Sequence, residues 1–122
     1  MSVSAIAFAK EVAALSPALT ALLEDHMKDN FDELLPHLFI GDVTRHVIEL
    51  MEDSSPEDSL AVRREVKTIL AAMEAGCATG TPEVQELIAA SFLENVPTKE
   101  GRCSEISGML GPKLASQWKK MT

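Results

Sequence analysis

Three times in this chain a hydroxyl residue stands directly before a proline, at Ser16-Pro17, Ser55-Pro56 and Thr81-Pro82. A Ser or Thr oxygen accepts one of the N–H groups that the first turn of a helix leaves unpaired. Proline has no N–H to lose and a φ already near the helical value, so it fits the first helical position. Each pair therefore predicts a break followed by a new helix. Pro36 acts in the same sense without a hydroxyl before it, because its ring pushes Leu35 away from helical geometry. A chain punctuated this way is constrained to short helices with abrupt starts.

The apolar residues agree with that punctuation. Ile6, Phe8, Val12 and Leu15 give an opening helix, capped by Ser2 or Ser4, an apolar face filled out by alanines. A second helix runs from Pro17 to about Asn30 with Leu19, Leu22, Leu23 and Met27 inward. From Pro36, residues Phe39, Val43, Val47 and Leu50 recur at spacings of three and four, with Ile40 and Met51 widening the stripe. The helix from Pro56 carries Leu60, Val62, Val66, Ile69, Leu70 and Met73, and Gly76 is placed like the residue just past a helix end, with Cys77 to Gly80 as the turn. From Pro82 the stripe is Val84, Leu87, Ile88 and Phe92, with Ser91 on the same face and its hydroxyl directed to the Leu87 carbonyl. Asn95 and Pro97 end that helix. Two short helices follow, about Lys99 to Leu110 and Pro112 to Lys120, divided by Gly111-Pro112.

No stretch alternates apolar and polar residues with the period of two that a half-buried strand requires. The fold class is all-α, a compact single-domain bundle of about six or seven short helices over residues 1–122. Its expected core is Phe39, Val43, Val47, Val66, Ile69, Leu70, Leu87, Ile88, Phe92 and Trp118. One position in the densest segment leaves two readings open. Gly41 either lets another helix approach closely, or breaks the helix so that Asp42 caps a new one from Val43.

A chain of 122 residues can bury one sizeable core without staples. Its mean hydropathy of +0.06 is not that of a membrane protein, and no apolar run reaches the ~18–20 residues of a spanning helix. The N-terminal segment has no basic region before its apolar residues, so it does not read as a signal peptide, and a cytoplasmic location is expected. In that compartment Cys77 and Cys103 read as free thiols. The net charge of −8 argues against nucleic acid as a partner. Residues 1–98 hold 17 acids against 6 bases, whereas residues 99–122 hold 5 bases against 2 acids.

Little in the chain suggests bond chemistry. Asp42, His46 and Glu49 recur at spacings of four and three, which puts two carboxylates beside one imidazole on a helical face. That set would serve a small metal-dependent hydrolase. The reading adopted is an exposed polar face with Arg45 paired to Asp42 or Glu49, since one histidine and two acids make a poor ligand set. His37 at a helix start is expected to be neutral and hydrogen-bonded, because the helix dipole there disfavours a cation. His26 is expected on the surface of the second helix. Phosphate-loop, nucleophile-elbow and zinc motifs are absent from the sequence. No catalytic, cofactor-binding or metal-binding residue is assigned, and no enzymatic turnover is expected.

The acids gather around the helical stretch from Pro36 to Met51. Glu24, Asp25, Asp29, Asp32 and Glu33 lie on one side of it, and Glu52, Asp53, Glu57 and Asp58 on the other. They supply solubility, or a docking face toward which a basic protein would be steered.

The segments LLPHLFIGDVTR (34–45) and VQELIAASFLENV (84–96) resemble a family of small uncharacterised bacterial domains, over roughly residues 30–115. Leu34, Pro36, Phe39, Gly41 and Phe92 stand at its signature positions and read as fold determinants. The resemblance implies a helical immunity protein, of the kind encoded beside polymorphic or contact-dependent toxins, that binds and neutralises a cognate toxin domain. The partner it implies is a basic, nuclease-type toxin, with no nucleic acid, membrane or cofactor bound by this chain itself. The expected state is a monomer or weak homodimer, and the expected contact face is the nine acids just named. A helical adaptor or homodimeric interaction domain is the alternative.

Overall fold

The computed structural model describes residues 3–53, 59–93 and 109–121, and every regular element among them is a helix. The order is α1 (Val3–Ala13), α2 (Pro17–Asp29), α3 (Pro36–Asp53), α4 (Ser59–Thr79), α5 (Pro82–Leu87) and α6 (Pro112–Met121). α5 continues without a break into a π-helical turn over Ile88–Phe92. The protein is all-α. The third hydroxyl–proline start, at Ser55-Pro56, lies outside the described residues, as do Asn95, Pro97 and most of the helix expected from Lys99 to Leu110.

Two of the starts form as their chemistry requires. Ser16, in extended geometry, accepts the Leu19 N–H on its hydroxyl at 3.2 Å. Thr81 does the same for the Val84 N–H at 3.4 Å. At Pro36 the Phe39 N–H reaches back to the Leu35 carbonyl at 3.0 Å.

α3 is the hub, packing against α1, α2, α4, α5 and the π turn. It runs unbroken through Gly41, so neither expectation for that glycine holds: the helix does not break, and a Cβ built there would meet nothing within 4 Å. Gly76 is the reverse case. It is not a residue past a helix end but lies inside α4, which continues to Thr79. A Cβ there would stand 2.7 Å from a Phe8 ring carbon and 2.8 Å from Ile88 Cδ1, so the missing side chain is what lets α1 and the π turn close on α4.

All but one of the ten expected core residues are buried; Trp118 packs half-buried against the rest. α1 departs from the expected face. Its inward residues are Ala5, Phe8, Ala9, Val12 and Ala13, while Leu15 is exposed and Ile6 only half-buried. The small side chains bring α1 close enough for Phe8 to lie over Gly76.

α6 is attached by a device between helices distant in sequence. Both Glu74 oxygens, from α4, accept backbone N–H groups at the α6 N-terminus, Lys113 at 2.6 Å and Leu114 at 3.1 Å. A carboxylate is the preferred partner there, because it satisfies unpaired donors and faces the positive end of the helix dipole. Gly111 makes the room: a Cβ at that position would fall 2.6 Å from the Glu74 carboxyl carbon. Among the described residues no helix is long and apolar enough to cross a membrane.

Candidate functional site

The α2–α3 connection gathers more unusual features than any other described segment. α2 ends at Asp29, and the next residues reverse the chain with both Phe31 (φ 55°) and Asp32 (φ 61°) in left-handed backbone. Few side chains other than Gly, Asn and Asp adopt that geometry readily, and for a bulky residue it is an outlier. The turn is closed by hydrogen bonds from Asp32 N–H to the Met27 carbonyl (2.8 Å) and from Glu33 N–H to the Asn30 carbonyl (3.0 Å).

His26 holds the connection from inside. Only 3% of it is exposed, contrary to the surface position expected from the sequence. Its Nε2 accepts the Leu35 N–H at 3.0 Å, and the Asn30 side-chain amide donates to its backbone carbonyl at 2.8 Å. The ring tilts against Phe39 with centroids 5.9 Å apart. Because Nε2 accepts, the neutral ring carries its proton on Nδ1, which lies 3.3 Å from the Asn30 amide nitrogen and 4.0 Å from Asp42 Oδ2. Burial pushes the imidazole pKa below its ordinary value, and the charge of Asp29 pulls part of the way back. The sequence held the signal for this placement: position 26 is seven residues from Leu19 and four from Leu22, on the inward stripe.

A second polar seam joins α3 to the π turn. His37 Nδ1 and Ser91 Oγ are 2.8 Å apart, across 54 residues of sequence. His37 is thus hydrogen-bonded as expected, with the Ser91 hydroxyl as its partner. Thr44, buried, donates to the Ile40 carbonyl at 3.0 Å and to the Ser91 carbonyl at 3.2 Å. A π turn shifts the backbone ladder by one residue and leaves carbonyls for outside donors, and Thr44 takes one of them. Serine beside histidine is also how a nucleophile is activated. Here the serine is buried, and no acid among the described residues pairs with His37 to orient it.

Asp42, His46 and Glu49 do not converge. Asp42 pairs with Arg45 and faces His26. His46 turns toward α4, with its buried Nε2 3.6 Å from Glu65 Oε1, so it is not part of an exposed face. Glu49 is exposed. Among the described residues no group of three or more His, Cys, Asp or Glu side chains is placed to hold a metal ion.

Cys77 is a free thiol at the edge of a polar cleft of about 520 Å³ shared with Gln85, Lys113, Ser116, Gln117 and Lys120. Burial and the neighbouring Glu74 push its pKa up, with Lys113 opposing. Fewer thiolates mean a poorer nucleophile. Cys103 lies outside the described residues.

Of the nine acids expected on a contact face, Glu24, Asp25, Asp29, Asp32 and Glu33 are all exposed along α2 and the turn after it, where Lys28 is the one basic residue. Glu52 is exposed near the end of α3. The side chain of Asp53, and Glu57 and Asp58 altogether, lie outside the described residues. What the sequence reading missed is Phe31, in the midst of these acids and 98% exposed; a single aromatic within a polar turn breaks no periodicity and leaves no pattern to find.

No curated protein and no solved structure matches this chain. A family model does match, over residues 9–122, and so takes in the end of α1 and every later element, including the two segments that carry the resemblance. The chain belongs to that family, described as a domain of unknown function, DUF7674.

Proposed function

We propose that this chain is an immunity protein that binds one toxin domain and blocks it by occlusion. The observation that carries the reading is the run of five exposed carboxylates on α2 and its exit, offset by one lysine. A toxin that acts on nucleic acid must be basic around its active site to hold phosphate, and a concentrated acidic face competes for that same surface. Opposite potentials would steer the encounter and raise the association rate, most strongly at low salt. The reading follows what was drawn from the resemblance of residues 34–45 and 84–96 to small uncharacterised bacterial domains. An inhibitor of this kind needs a rigid scaffold and a complementary face but no turnover. The test is association with the toxin domain encoded next to this chain, followed against ionic strength. Reversing Glu24, Asp29, Asp32 and Glu33 to lysine should slow association about 10-fold or more and flatten its salt dependence. An unchanged rate in the reversed variant contradicts the reading.

A helical adaptor remains the alternative, favoured by large apolar side chains left exposed at Leu38 and Leu60 as well as Phe31. Light scattering on the purified chain separates a homodimeric adaptor from a monomeric inhibitor. No observation favours a metal-dependent hydrolase, since Asp42 and His46 meet different partners and Glu49 is exposed.

A further inference from the structure

Phe31 is a residue that folding does not explain. Its side chain is 98% exposed, so it contributes almost nothing to the core. Its backbone sits at φ 55°, where a bulky side chain is disfavoured and asparagine or glycine would fit better. The turn that presents it is nevertheless fixed on both sides, by the Asp32 N–H to the Met27 carbonyl and by the Leu35 N–H to His26 Nε2. The backbone that carries the ring is therefore held in place, without the ordering cost that a flexible loop incurs on binding.

Around it stand Asp29, Asp32 and Glu33, all exposed. A second copy of this chain, with a net charge of −8, would bring like charges together at such a contact. A basic surface would not. Aromatic side chains are the commonest anchors of protein interfaces, filling a pocket at the centre while a polar rim excludes water, and arginine also stacks on an aromatic face. Resting on the proposed function, we infer that Phe31 is the anchor of the docking surface, inserting into an apolar pocket rimmed by basic side chains on the toxin, with Asp29, Asp32 and Glu33 pairing with that rim. The acids set how fast the partners meet, and Phe31 sets how long they stay together.

Two measurements test this. On the chain alone, Phe31→Asn and Phe31→Gly should leave the thermal midpoint unchanged or raise it. A clear fall in both would mean that the ring supports the fold, and would overturn the inference. With the toxin domain encoded beside this chain as the probe, Phe31→Ala should speed dissociation at least 10-fold and change association by less than about 2-fold, while Phe31→Trp retains binding. If lysine reversal of the acids weakens the complex but Phe31→Ala does not, the anchor is wrong and the acidic docking face stands. If the unaltered chain does not bind the toxin domain at all, the proposed function fails and the anchor fails with it. If light scattering shows a dimer that Phe31→Ala dissolves, the occupant is a second copy, and the inference is overturned.

Discussion

Two helical glycines with opposite surroundings give opposite expectations. At Gly41 an added methyl meets open space inside an unbroken helix, so Gly41→Ala should stabilise the fold by about 1 kcal/mol through helix propensity alone. At Gly76 the same change drives a methyl against Phe8 and Ile88, and overpacking of that kind costs about 1–3 kcal/mol. Urea unfolding of the two variants reads both signs, and a loss at Gly41 would mean that the helix is not continuous there. Sequence placed Gly76 just past a helix end and left Gly41 as a close approach or a break, because a helix pattern does not show what faces a glycine. His26 is a different lesson, since its place on the stripe was legible and only its polarity argued for the surface. Its folded-state pKa lies below the ordinary value of 6.5, so the unfolded chain takes up the proton first as pH falls. The stability it contributes is present above about 6.5 and is lost as pH drops through the folded value. Protonation also ends the acceptance of the Leu35 N–H, with Asp29 and Asp42 nearby as partial compensation. The urea midpoint should therefore fall between pH 7.5 and pH 5, and less steeply in His26→Gln; equal slopes would remove His26 as the cause.

At the scale of elements, the hydroxyl–proline starts were legible because the chemistry is local: the cap, the proline and the N–H they serve lie within four residues. Helix ends and irregular turns were less so. α4 runs three residues beyond Gly76 because α1 and the π turn close on it there, a tertiary reason that no local signal carries. The π turn at Ile88–Phe92 was likewise hidden, its Ser91 meeting His37 and Thr44 from α3. The Glu74 cap is the extreme case, reaching about forty residues along the chain to start α6. Glu74→Ala should cost about 0.5–2 kcal/mol, the range for losing an N-terminal cap, and amide exchange should quicken in α6 before it does in α3. Uniform exchange in the variant would show that the cap does not hold α6 in place.

For the whole molecule, the all-α class followed from pattern and composition, and the candidate site only in part. The acids were visible as a cluster in sequence, and five of them share α2 and its turn. The aromatic they surround was not visible, because exposure and backbone angle are properties of the folded turn. The central claim is that this surface neutralises a basic toxin. Its most direct measurement is survival of cells that express the toxin domain encoded beside this chain, with the chain supplied intact or with Glu24, Asp25, Asp29, Asp32 and Glu33 reversed to lysine. The expected result is rescue by the intact chain and death with the reversed variant, both proteins giving the same helical circular dichroism spectrum. Equal death with either chain, or equal rescue by both, would contradict it.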